Sequence, residues 1–273
     1  MNKKLLIILV VVILFGLGVL IFNIIGKAVM EETDSKCFEF NEETGEITGY
    51  KDICGTEIRI PSEIEGVKVV SIGKFVFDEK NLTKLILPDT LQTIGIGAFQ
   101  NNGIKELIIP DSVINVKALA FYSNKIEKLT IGKGVVNIGI EAFNNNQLKR
   151  KDAFIYMRDQ NGMVDGTVVG YGGAERDNVI VPDDVTMLYL SALADCNIKE
   201  ITLNDKLERI ESSSLSNNKL TEITIPESVI IVGQNAFLGN DLDKIIINGK
   251  DSLDDFSLFD VTGIDKKIIE FEK

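Results

Sequence analysis

Phe77, Phe99, Phe121 and Phe143 stand 22 residues apart, and after one gap of 50 residues Leu193, Leu215, Phe237 and Phe259 resume the same interval. A fixed interval in this range is the signature of a solenoid. One repeat is one coil, too small to bury its own apolar face, so neighbouring coils bury each other's. Stacks of this kind present long surfaces to partners and seldom perform chemistry. The interval therefore constrains both the architecture and the class of function.

Many columns share the period. Leu82, Ile104, Ile126, Ile198, Leu220 and Leu242 align, as do Leu85, Leu107, Leu129, Ile201, Ile223 and Ile245. A third column, Leu87, Ile109, Ile131, Val181, Leu203, Ile225 and Ile247, is followed by Pro88, Pro110, Pro182 and Pro226. The alternating run before each proline is a short strand, with Leu85 and Leu87 on one side and Ile86 on the other. Proline ends it, because it has no N–H for a ladder. Stacked coils then form a parallel ladder, and eight of them give a rod on the order of 40 Å long at roughly 4.8 Å per coil.

The pattern L-x-x-I-x-I-P-x-x-V-x-x-I-G-x-x-A-F, with Asn or Cys three residues on, resembles the BspA-like leucine-rich repeat of prokaryotic cell-surface proteins. The resemblance covers about residues 46 to 260. It implies a right-handed leucine-rich-repeat solenoid and a role in adhesion or protein binding. The repeats are one residue shorter than the commonest family version. The usual Gly is kept at Gly73, Gly95, Gly139 and Gly233 but is replaced at Lys117, Tyr189 and Glu211, so the position does not demand positive φ.

Asn102, Asn124, Asn146, Cys196, Asn218 and Asn240 form a polar column three residues after the Phe column. An Asn amide both donates and accepts, so the stacked side chains are read as a structural ladder that satisfies backbone groups from coil to coil. Cys196 is read as a free buried thiol.

The N-terminal 30 residues differ in kind. Leu5 to Phe22 carries no charge, and the apolar run reaches Ile25, about 32 Å long as a helix and enough for a bilayer core. Lys3 and Lys4 precede it, and Glu31, Glu32 and Asp34 follow. The positive-inside bias puts the N-terminus in the cytoplasm and the repeats outside. The reading is a single-pass membrane anchor over residues 1–30. A secreted protein released by signal cleavage is the alternative.

Residues 31–60 are read as an N-terminal cap, 61–260 as the solenoid, and 261–273 as a C-terminal cap strand. Cys37 and Cys54 lie in the first cap, where export would let them close a disulfide. The 28 residues in excess of one period, about 151–178, are read as a β-hairpin insertion around Asn161-Gly162. It leaves the coil near Leu148 and returns at Val179, as a binding excursion, as a scaffold variant or as a joint between two solenoid blocks. Tyr156, Met157, Arg158 and Tyr171 give it an adaptable surface, and Tyr156, Arg158 and Tyr171 are candidate binding residues. Asp159, Asn161 and Asp165 have partial calcium-loop spacing, but Met163 fills a ligand position and the terminal Glu is missing.

On the outward face of the strands, Glu57, Lys84, Glu106 and Lys128 alternate in sign. The next outward column is Arg59, Ile86, Ile108, Thr130, Ile180, Thr202, Thr224 and Ile246. Ile86 beside Ile108 is the candidate recognition pair.

A formal net charge of −12 argues against nucleic acid. The absence of His removes Ser–His–Asp and Cys–His catalysis and His-ligated metals. Three scattered cysteines do not make a metal site. No enzyme activity, cofactor or metal is expected. The expected function is that of a membrane-anchored extracellular protein-binding module, an adhesin or surface scaffold, with a protein ligand first and a glycan second. The alternative is a self-associating component of the cell envelope.

Overall fold

In the coil Leu82 to Gly103 a front strand, Lys84–Ile86, leads through Pro88 to a back strand, Thr93–Ile94. Pro88 opens a four-residue turn closed by the Leu91 N–H on its carbonyl at 3.3 Å. Pro110, Pro182 and Pro226 open the same turn in their coils, with N–H donors at Val113, Val185 and Val229. Leu85 and Leu87 are buried and Lys84 is exposed, so the period of two along the strand sets which residues face the core.

These coils belong to a computed structural model that describes residues 13–15, 18–20, 30–159, 164–260 and 264–273. Residues Glu32–Lys273 form one compact unit.

The return turn is tight. Two residues before and two after each Phe adopt positive φ, for example Leu119 at 60° and Ser123 at 54° around Phe121. The left-handed region costs a residue with a side chain about 1–2 kcal/mol. Coil-to-coil hydrogen bonds hold it there: Leu119 N–H donates to the Ile140 carbonyl at 3.0 Å and Phe121 N–H to the Ala142 carbonyl at 2.8 Å. Inside the turn Phe77, Phe99, Phe121 and Phe143 stack with centroids 4.8, 5.3 and 5.6 Å apart and planes within 6° of parallel. All four are fully buried, each contributing roughly 1.5–3 kcal/mol.

The back strands form two six-stranded sheets. The first ends at Asn137–Ile138; the second begins at Phe154–Arg158. Those breaks mark two blocks with separate cores, and the stretch at about 151–178 joins them. Phe154–Arg158 and Val164–Tyr171 do form an antiparallel hairpin. It is no excursion, however. Thr167 and Val168 pair in parallel with Met187 and Leu188, so the second hairpin strand fills a rung of the back sheet. Ile155 and Val169 pack into the first core, and Phe154, Val168 and Tyr171 into the second. Alternating side chains of one hairpin thus serve both blocks, as the pleat requires.

Phe259 also departs from its expected column. It pairs with Val232, in the back-strand column, because the loop through the short helix Leu253–Asp255 lengthens the last coil. Ile246, expected to face outward on the strand face, is buried.

Both ends of the stack are covered. Strands Phe38–Asn41 and Glu46–Tyr50 form an antiparallel pair, and Glu46 and Ile47 join the back sheet beside Ser71 and Ile72. Phe38 and Tyr50 close the Phe stack, with Tyr50 5.0 Å from Phe77. At the other end Ile269–Glu272 pairs in parallel with Ile245–Asn248.

The segment read as a membrane helix lies almost entirely outside the described residues. Its two described pieces, Ile13–Phe15 and Gly18–Leu20, are extended and paired antiparallel. Among the described residues no helix is long and apolar enough to cross a membrane.

Candidate functional site

The front ladder carries the outward rows. Glu57 pairs with Lys84 in register, and Glu106 with Lys128, whose Nζ lies 2.6 Å from the Glu106 carboxylate. That hydrogen bond and charge hold the Lys128 ammonium above its ordinary range. Beside the charged row, Ile86 is half-buried, Ile108 is 68% exposed and Ile180 is 42% exposed. The strands of Ile86 and Ile108 lie side by side, so the two side chains form the apolar centre of this face.

The hairpin candidates separate. The Tyr156 hydroxyl donates to Asp184 Oδ1 at 3.0 Å, and burial, then that carboxylate, push its pKa up. Arg158 is half-buried. Tyr171 is buried, which corrects its reading as a binding residue. It occupies the Phe position of an additional coil, 22 residues before Leu193. Its hydroxyl donates to the Glu175 carbonyl at 3.0 Å, and the Arg176 guanidinium lies 5.4 Å over its ring. Burial pushes its phenol up to about 12.

The polar column is internal. Asn102 Nδ2 donates to the carbonyls of Phe77, Phe99 and Gln100 at 2.7, 3.0 and 2.9 Å, while its Oδ1 accepts from Leu82 N–H at 2.8 Å. Asn124, Asn146 and Asn218 repeat all four contacts. Asn240 makes three of them, to Leu215, Phe237 and Leu220. Each amide therefore ties its own turn to the coil before it. Cys196 takes the same place, its Sγ 3.2 Å from the Ala194 carbonyl and 3.6 Å from that of Tyr171. Burial pushes its thiol up to about 12, which leaves it inert. Cys37 and Cys54 are joined by a disulfide in the cap.

The sequence reading passed over the buried polar residue at the joint. Asn144 is fully buried and lies outside the Asn column. Its Nδ2 donates to Ala192 and Ala194 carbonyls and its Oδ1 accepts from Tyr171 N–H, so it pins the joint. Its only signal was an Asn-Asn-Asn run at 144–146 beside the long gap. Among the described residues no group of three or more His, Cys, Asp or Glu is placed to hold a metal ion.

The profile of the BspA type leucine rich repeat region matches residues 70–154 and 171–267, in six copies. A leucine-rich repeat protein of Eubacterium ventriosum superposes with a TM-score of 0.51 at 18% identity, over 71% of this chain. The chain spans 60% of the length of that structure. A leucine-rich repeat protein of Bacteroides ovatus gives 0.44 at 20% identity, covering 91% of this chain and 72% of that one. The pneumococcal vaccine antigen PcpA gives 0.45 at 20% identity, covering 80% and 68%. No curated protein matches the chain.

Proposed function

Because the chain belongs to the BspA type leucine-rich repeat family, we propose that it is a membrane-anchored protein that displays its solenoid outside the cell and binds another protein there. Leucine-rich solenoids are binding scaffolds, and each coil adds surface without adding a reactive site. The observation that carries the binding reading is Ile108, a large apolar side chain 68% exposed beside Ile86 on a rigid ladder. An apolar centre rimmed by paired charges, here Glu106 and Lys128, is the anatomy of a protein interface. The uncharged run from Leu5 to Phe22 supports the anchor, and the Cys37–Cys54 disulfide suits an oxidising compartment.

Two measurements test this reading. Protease added to intact cells should digest the repeats; protection until the membrane is permeabilised would reverse the topology. The full chain, used as bait against surface proteins of neighbouring or host cells, should lose its partner on Ile108→Asp and on Ile86→Asp. Capture that survives both changes would exclude this face. Concentration-dependent self-association with no partner captured would favour the envelope-component reading, and capture of a glycan alone would replace the protein ligand.

A further inference from the structure

A groove of about 700 Å³ opens on the back of the solenoid where the first block meets the hairpin. Lys117 and Asn137 line it from the first block, Met157 and Arg158 from the hairpin, and Tyr189 from the second block. We propose that this groove is a binding site for the carboxylate of an acidic peptide segment, with the neighbouring aliphatic side chain of that segment against Met157 and Tyr189. The proposal rests on the binding-module reading but concerns a different surface from the Ile86–Ile108 face.

Three observations carry it. The first is charge. The chain has 41 acidic and 29 basic residues, yet two cations and no Asp or Glu line the groove among the described residues. The second is an unmet donor. Arg158 Nε is buried and has no hydrogen-bond acceptor among the described residues. A guanidinium N–H withdrawn from water without a partner is costly, and a carboxylate is the acceptor whose geometry it fits.

The third observation comes from the repeat. The column otherwise held by Gly73, Gly95, Gly139 and Gly233 has three exceptions: Lys117, Tyr189 and Glu211. Glu211 is neutralised within its own coil by Arg209, at 2.5 Å. The other two both reach the groove, with Gly139 between them leaving the space open. Among the described residues neither Lys117 nor Arg158 has an ion-pair partner. Met157 and Tyr189 pack half-buried against the first core, which gives the groove an apolar wall at a fixed position beside the two charges. Met adapts to irregular aliphatic shapes. That wall favours a peptide with alternating acidic and aliphatic side chains over an acidic sugar, whose rim of hydroxyls would need hydrogen-bond partners that Met157 does not supply.

The test is a titration of the full chain, in non-ionic detergent, with a rhodamine-labelled peptide of three Glu-Leu-Gly units, read by fluorescence anisotropy. Saturable binding is expected, with none by the Lys-Leu-Gly counterpart. Arg158→Gln should weaken binding about tenfold or more, since losing a charge-assisted hydrogen bond is worth at least that factor. Lys117→Gln should weaken it severalfold, and Arg158→Lys should restore part of the loss. Ile108→Asp should leave this binding unchanged, which separates failure of the groove from failure of the strand face. Circular dichroism of each variant confirms that it folds. Equal affinity in the Arg158→Gln, Lys117→Gln double variant would overturn the proposal. So would absence of peptide binding, or tighter binding of a glucuronate oligosaccharide.

Discussion

Asn144 Nδ2 donates to the Ala192 carbonyl at 3.2 Å across 48 residues of sequence. In the regular coils such a carbonyl receives a backbone N–H instead: Phe99 N–H donates to Ala120 and Phe121 N–H to Ala142, each at 2.8 Å. At the joint a side chain completes the ladder. Replacing Asn144 by Ala would strand the carbonyl of Ala192 and the N–H of Tyr171 in a buried place, while the carbonyl of Ala194 keeps the Cys196 thiol. The expected loss is about 2–4 kcal/mol, or roughly 5–15 °C in Tm for a chain of this size. Thermal unfolding followed by circular dichroism measures it, and a change within experimental error would mean the joint is held by packing alone.

Glu141 sits on the same joint. Burial, and then the charge of Asp195, raise its carboxyl pKa from 4.5 to about 6. The folded protein therefore holds this proton more tightly than the unfolded chain does. Its stabilising contribution is complete below about pH 4.5 and is lost as pH rises through about 6. Glu141→Gln should remove that dependence and stabilise the protein at pH 7 by about 1 kcal/mol, discounted for partial exposure. Tm measured from pH 4 to pH 8 tests this; a variant that tracks the parent across the whole range would contradict it.

The cap depends on its disulfide. The Cys37–Cys54 bridge spans a sequence separation of 17 residues, which in the chain-entropy model stabilises by about 3 kcal/mol. Alkylation of the denatured, unreduced protein should label one thiol, that of Cys196, and three after reduction. Dithiothreitol should also lower Tm. Three thiols labelled without reduction would rule the bridge out.

Deleting residues 104–125 removes one full period and joins Gly103 to Ile126. The Phe and Asn columns stay in register, and Phe99 gains Phe143 as its stacking neighbour. The protein should fold with reduced stability. Part of the loss comes from charge, because Lys84 would then face Lys128 without Glu106 between them. Deleting residues 104–114, half a period, should abolish cooperative unfolding. Comparable damage from the two deletions would count against the coil as the unit of this fold.

The sequence by itself determined the coil. Alternation before Pro88 set the strand faces, the 22-residue interval set the Phe stack, and the Asn column set the polar ladder, because each of these depends on a local pattern repeated at one spacing. The spacing misplaced Phe259, where a longer loop shifted the register to pair it with Val232. It also missed that Tyr171, 22 residues before Leu193, makes the hairpin region a coil in its own right. Tyr171 read as a surface aromatic because exposure is not local: it depends on what lies alongside, and here that is Phe154, with ring centroids 5.0 Å apart. Only the tertiary structure decided that one hairpin fills two cores, that Asn144 closes the ladder between them, and that Lys117, Arg158 and Tyr189 share a groove. Those contacts join residues whose separations follow no period, and packing across the break in the repeat brings them together.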